Sequence, residues 1–379
     1  MKRIVAAILH RPMGSTPLEQ LVDVGRRSSA EDLIRRLSPF VREVVVATEA
    51  GEAAQAFHAL GVPVREARTN RAFHFGRILK EIIRQHRADA VLYFGSGSGV
   101  LLEEGDIEGL CAFADRRQAG ALLNNFFSCD FAVISDAPAL MDHPLPATDN
   151  SLGFALSDAG IPCFALPRSL ATQFDIDTPT DLALLKTAER GGDTLRRYLS
   201  RWSFEHPHLP AILARLVDRS ALVYLIGRVH PGTWAAFERN VACRTGGVIE
   251  GRGMKASSSH RLTLLQRGLE EDGPTTFFDR LAAAADGALI DTRPTLAAKG
   301  GFPAAPDRFA SDLFRSEQIE DPCWRAFTEA AVESPIPLIL GGHNLVSGGL
   351  FLLGDACWKG GTLPRRLHPK PFNPGEEEA

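Results

Sequence analysis

The first half of the chain alternates short, continuous apolar runs with helical patterns, and this limits the fold more than any other feature. IVAAIL (4–9) is apolar throughout, as a strand covered on both faces must be. EVVVAT (43–48), VPVREA (62–67) and DAVLYFGSGSG (89–99) read as further strands, the last running into a glycine loop. Between them, SAEDLIRRLSPF (29–40) reads as a helix capped by Ser29, and EAAQAFHALG (52–61) as a helix closed by glycine. FGRILKEIIRQHR (75–87) places Ile78, Leu79, Ile82 and Ile83 on one helical face. Helix IEGLCAFADRR, strands GALLNNFF and DFAVIS, helix SLGFALSDAG, strand PCFALP and a helix after FDIDTPTD follow. This order predicts an α/β domain over 1–190 with a mainly parallel sheet and helices on both faces. Ligands in such sheets bind outside the carboxyl ends of the strands.

The pattern then changes. Residues 191–219 read as a helical linker around His206, Pro207 and His208, with a solvated turn at the histidines. A second α/β domain is expected over 220–362. Its strands are ALVYLIGRV (221–229), GGVIEG (246–251), GALIDTRP (287–294) and IPLILGG (336–342), with GGLFLLGDACW (348–358) as a further one. The proline-rich, acidic tail 363–379 is expected to be disordered. A chain of 379 residues suits two cores better than one.

Charge and cysteine usage narrow the function classes. The net charge of −4 and the scattered arginines give no basic stripe, so no nucleic-acid partner is expected. The six cysteines form no CxxC pair, which argues against a zinc site or disulfide framework and fits a reducing cytoplasm. No stretch is long and apolar enough to imply a membrane span.

The densest chemistry lies in QFDIDTPTDLALLK (173–186). Thr178 as N-cap, Pro179 at the first helical position and Asp181 at the third make a good helix start. Asp175 and Asp177 precede that cap, where the helix does not need them. Two carboxylates one residue apart at a strand end suit Mg²⁺ or another divalent cation. GSGSG (95–99), with Gly95, Ser96, Gly97 and Ser98, is a candidate anion loop or a tight turn. It matches neither a P-loop nor a nucleophile elbow, because Gly97 sits where a serine would be needed. Asn124 and Asn125 fall on a strand, and Asp149 with Asn150 at a helix start, as capping or turn elements. In the second half, Arg228 with His230, Arg252 after GGVIEG, Asp291 with Arg293, and His343 with Asn344 follow successive strands. They would converge on a pocket of phosphate- or carboxylate-binding character.

FDIDTPTDL resembles the DIDTPEDL-type signature of MobA-like nucleotidyltransferases, with the 2-phospholactate guanylyltransferases as the most similar group. The likeness covers roughly residues 1–190, and STPLEQLV, FHFGRILKEII, DAVLYFGSGSGVLL, LLNNFFSCDFAVIS and ATDNSLGFALSDAG agree with it in order. It implies a Rossmann-like, GT-A-like fold for the first domain. It also implies transfer of a nucleotidyl group from a nucleoside triphosphate, with Mg²⁺, to a small phosphorylated or sugar-like acceptor. Asp175 and Asp177 would then hold metal. Arg11, Gly14, Arg26, Arg27 and Gly95–Ser98 would meet nucleotide and phosphate, and Asn124, Asn125, Asp149 and Asn150 would line the acceptor cleft. The chain departs from the pattern at two places. Thr16 stands where a lysine is expected, and the central strand ends in YFGSGSG without an Asp. A catalytically degenerate, nucleotide-binding protein with a regulatory or structural role is therefore the alternative, with a GT-A glycosyltransferase third.

Overall fold

The structure, a computed structural model, describes residues 2–67, 73–251, 264–298 and 303–359. It is an α/β protein with two sheets. Strands β1 (Ile4–Leu9), β2 (Glu43–Glu49), β3 (Val64–Ala67), β4 (Ala90–Gly95), β5 (Ala121–Leu123), β6 (Phe131–Ile134) and β7 (Cys163–Ala165) form a seven-stranded sheet in the order β3-β2-β1-β4-β6-β5-β7. All its pairings are parallel except those of β6 with β4 and β5. Strands β8 (Leu222–Gly227), β9 (Arg244–Ile249), β10 (Gly287–Asp291) and β11 (Leu338–Gly341) form a fully parallel sheet in the order β11-β10-β8-β9.

The apolar runs work as expected. Along β1, Val5 and Ala7 face one core with Val45, Val91 and Tyr93, covered by the helix Phe75–His86. Ile4, Ala6 and Ile8 face the opposite core with Val44, Val46 and Leu92. The period-2 alternation of a strand thus feeds two layers of side chains. A third core joins the two sheets: Leu182, Leu184 and Leu185 of the helix Pro179–Ala188 pack in one cluster with Leu225, Ile226, Ile339 and Leu340.

Residues 191–219 take part in this joint. The helix Asp193–Ser200 docks its first turn on Asp32, whose carboxylate accepts from the Thr194 and Leu195 amides at 3.0 and 2.9 Å. A cap of this kind contributes about 1 kcal/mol. Leu209, Ile212 and Leu216 of the next helix enter the shared core.

Four local expectations need correction. GGLFLLGDACW forms the helix Gly348–Ala356, not a strand. It is apolar nearly all round because it is buried nearly all round, and such a run carries no period to separate helix from strand. The first long helix starts at Pro17, not near Ser29. Thr16 and Glu19 make a reciprocal capping box there, and Ser29 lies buried mid-helix. GALLNNFF supplies only a three-residue strand, with Asn124–Phe127 in the loop that follows. His206 is not in a solvated turn: it is buried against His208 and Phe314, and burial lowers its pKa to about 3. The tail 363–379 lies outside the described residues.

Candidate functional site

The parallel strands β1, β4, β8, β10 and β11 point their carboxyl ends at one region, and the segment Phe174–Asp181 runs through it. Its local structure is dictated by the helix it starts. The Thr178 hydroxyl and the Asp181 carboxylate form a capping box, with Pro179 at the first helical position. Oδ2 of Asp181 accepts from the Asp177 amide at 2.9 Å, the Thr178 amide at 2.7 Å and the Thr178 hydroxyl at 3.0 Å. This fixes the backbone turn and leaves the Asp175 and Asp177 carboxylates off the helix.

The segment is clamped from both sides. On the first sheet, the Ile176 amide donates to the Gly97 carbonyl at 3.1 Å. A Cβ on Gly97 would come within 2.6 Å of both Asp175 Oδ1 and the Ile176 carbonyl, so glycine is required for this approach. On the second sheet, Asn344 Oδ1 accepts from the Asp175 amide at 3.1 Å, and Thr180 donates its hydroxyl to the Leu340 carbonyl at 2.7 Å.

Between the clamps lies a cavity of about 20 Å³, lined by Asn125, Asp130, Gln173, Asp175, Asp177, His343, Asn344 and Ser347. That is room for one water or one ion. Its electrostatics are one-sided. Burial, followed by repulsion from Asp177 and Asp130, pushes the Asp175 pKa well above the usual carboxylate range, and Arg26 opposes this. Burial, then Asp177 and Asp149, lifts Asp130 to about 7 against the hydrogen bond from Asn124. Burial lifts Asp181 to about 7 as well, against its bond from Asn344, and raises Asp149, against its bond from Tyr93. These carboxylates are held together at a cost that a bound cation would relieve. Among the described residues, no three His, Cys, Asp or Glu side chains are gathered as a ready-made metal cage. Mg²⁺ does not need one: it is held by one or two carboxylates together with substrate phosphates and water. By donor chemistry, the carboxylate and amide oxygens here fit such a cation.

The expected residues divide clearly. Asp175, Asp177 and Asn125 line the cavity, and His343 and Asn344 from the second half join them. Asn124 is committed to structure, its Oδ1 accepting from the Asp130 and Phe131 amides and its Nδ2 donating to Asp130 and the Thr172 carbonyl. Asp149 accepts from the Tyr93 hydroxyl, and Asn150 accepts from Ser128. Three amides of the glycine loop donate within the protein. The Gly95 amide donates to the Asp130 carbonyl, Ser96 to Leu9 and Ser98 to Gly95. Both serine side chains are buried, with Ser96 Oγ 2.9 Å from His10 Nδ1 and Ser98 Oγ donating to the Gly95 and Asp130 carbonyls.

The arginines also separate. Arg11 is exposed, 4.0 Å from Glu49, Gly14 packs beside the Glu19 carboxylate, and Arg27 pairs with Asp23 and Glu52. Arg26 has a buried Nε without a hydrogen-bond partner and acts on Asp175 through its charge.

Two arginines of the pocket expected within the second half are engaged in ion pairs. Arg228 grips Asp291 with two bonds of 2.6 and 3.0 Å, and Arg293 grips Asp312 with bonds of 2.9 and 2.7 Å. Burial alone would raise Asp291, but Arg228, His343 and Arg293 hold its pKa below the ordinary value. His230 caps a helix by accepting from the Gly232 amide. Arg252 lies outside the described residues.

Asp130 and Gln173 were not singled out from sequence. Asp130 has a simple geometric signature once the sheet is known. Because β6 runs antiparallel to β4, its start lies beside the end of β4, and the Gly95 amide bonds the Asp130 carbonyl at 2.9 Å. A carboxylate thus stands next to the central strand's end, although that strand carries none itself.

No protein-family model matches the chain, and no curated protein matches it. Among solved structures, the chain is similar to a CMP:2-keto-3-deoxy-manno-octonic acid synthetase complexed with CTP. Identity is 18%, the TM-score is 0.36, and the match covers 48% of this chain and 95% of that one. It is also similar to a cytidylyltransferase from Leptospira borgpetersenii serovar Hardjo-bovis, at 16% identity and a TM-score of 0.39 over 53% and 95% of the two chains. A 4-diphosphocytidyl-2C-methyl-D-erythritol synthase matches at 15% identity and a TM-score of 0.34 over 49% and 97%.

Proposed function

We propose that the chain is a nucleotidyltransferase, moving a nucleotidyl group from a nucleoside triphosphate to a small phosphorylated or sugar-like acceptor with Mg²⁺. The observation that carries this reading is the cluster of Asp130, Asp175 and Asp177 around one cavity at the carboxyl ends of the strands. The departures in sequence are met in part. Asp130 offers a carboxylate beside the end of β4, and Arg26 is a cation near the site. Asp175 and Asp177 would hold the cation. When bound, it neutralises charge on the triphosphate.

The chain's own residues then have distinct tasks. The Asn125 side-chain NH₂ orients oxygen atoms of the substrate, while the Gln173 amide, donating to the Asn124 and Thr172 carbonyls and accepting from Arg168, holds the cavity wall. His343, which lines the cavity, accepts the proton of the attacking acceptor oxygen. That oxygen forms a bond to the α-phosphorus as the bond to the β-phosphate oxygen breaks, and pyrophosphate leaves. On this reading the two domains, 1–190 and 220–362, meet at one site rather than carrying two.

One observation favours the alternative of a nucleotide-binding protein without turnover. The Gly95, Ser96 and Ser98 amides and both serine hydroxyls are spent inside the protein, and Thr16, in the lysine's place, is spent on a helix cap. Pyrophosphate release separates the two. Each common nucleoside triphosphate is incubated with Mg²⁺ and a panel of sugars, sugar acids and phosphorylated hydroxy acids. Transfer predicts release with one triphosphate and one acceptor class, abolished by Asp177→Asn. Nucleotide binding without release from any pair would favour the alternative.

A further inference from the structure

Asn344 occupies an unusual position for a residue of the second sheet's loop. It is 4% exposed, and its side chain reaches across to the first sheet's terminal segment with both ends of its amide. Oδ1 accepts from the Asp175 main-chain amide at 3.1 Å, and Nδ2 donates to Asp181 Oδ1 at 2.7 Å. The orientation is forced. A flipped amide would set NH₂ against N–H at one end and oxygen against carboxylate at the other. With the three bonds that Asp181 Oδ2 accepts from Asp177 and Thr178, the amide closes a ring around residues 175–181.

The backbone around Asn344 is fitted to the same segment. A Cβ on Gly348 would come within 2.3 Å of the Phe174 Cα, and one on Gly342 within 3.1 Å of the Thr178 side chain. The loop 341–348 therefore presses on both flanks of the Asp175–Asp177 turn, and the Asn344 amide is a polar link between them.

We propose that Asn344 is a positioning residue of the carboxylate site: it sets the turn that presents Asp175 and Asp177 to the cavity, and so makes the second sheet an obligatory part of that site. The idea rests on the carboxylate cavity and is independent of which reaction occurs there.

The hydrogen-bond logic supplies a rescue test. Asn344→Asp alone sets two carboxylates against each other. Asp181→Asn alone leaves two amides facing, and no flip of Asn344 satisfies both of its ends. The double variant Asn344→Asp with Asp181→Asn exchanges the two groups and can satisfy every bond again. Hydrogen exchange of the full-length protein is measured on a peptide spanning residues 173–186, with a β4 peptide as control. Each single variant should speed exchange there by about tenfold or more, the scale expected for losing a hydrogen bond to a charged group. The double variant should return it toward wild type, with the β4 peptide unchanged throughout. Mn²⁺ affinity, read by electron paramagnetic resonance, should follow the same pattern of loss and rescue. Single variants that exchange like wild type, or a double variant as disturbed as the singles, would overturn the proposal. A wild-type protein that binds no Mn²⁺ would count against the cation reading, while the exchange result would still decide the role of Asn344.

Discussion

Asp130→Asn should stabilise the metal-free protein at alkaline pH. The Asp130 carboxyl is raised from 3.8 to about 7, by burial first and then by Asp177 and Asp149. A carboxyl whose pKa rises on folding binds more protons in the folded state between those two values. Stability therefore falls as pH rises through that window, and the full penalty is present above about pH 7. A gap of about 3 in pKa corresponds to about 4 kcal/mol. This is an upper bound, because the neighbouring carboxylates titrate with it. Asparagine keeps the shape, and its carbonyl oxygen can still accept the 2.8 Å bond from Asn124. Urea unfolding at pH 8, 6 and 4 tests this. The variant should exceed wild type by up to about 4 kcal/mol at pH 8, by less at pH 6, and match it near pH 4. Mg²⁺ should stabilise wild type at pH 8 and the variant less. A variant less stable than wild type by the same amount at every pH would refute the reasoning.

Other perturbations have defined outcomes. Gly97→Ala should destabilise by about 1–3 kcal/mol and weaken ligand binding, because the new methyl meets backbone and the Asp175 carboxylate; paired unfolding and binding titrations check this. Arg293→Met should cost about 3–5 kcal/mol in denaturant unfolding, since it strands the buried Asp312 carboxylate. Ser96→Ala should leave nucleotide affinity within about twofold while lowering stability by about 1 kcal/mol, because its hydroxyl is buried on His10 rather than facing ligand.

The sheet strands were legible where burial on both faces wrote an unbroken apolar run, as in IVAAIL and EVVVAT. The same uniformity hid the helix Gly348–Ala356, because a segment buried all round shows no period. The helix start at Thr178 was readable in full, since capping is decided within four residues. The partners of that turn were not. Asn344 lies 163 residues from Asp181 in sequence, and nothing local marks it as part of the same site. Asp130 needed the direction of β6, which depends on strand pairing rather than on its own sequence. Arg228, Asp291 and Arg293 after β8 and β10 read as one pocket, yet Arg228 pairs with Asp291 and Arg293 with Asp312 in separate bidentate bonds, as opposite charges in reach of each other do.

The most direct test of the carboxylate site is a thermal-shift panel of the common nucleoside triphosphates, each with and without Mg²⁺, on wild type and Asp177→Asn. A ligand that binds only the folded state must raise the unfolding midpoint by mass action. Nucleotidyl transfer at this site predicts that one triphosphate raises the wild-type midpoint only with Mg²⁺, and that Asp177→Asn loses most of that shift. A shift indifferent to Mg²⁺ and to the substitution, or no shift with any triphosphate, would contradict it.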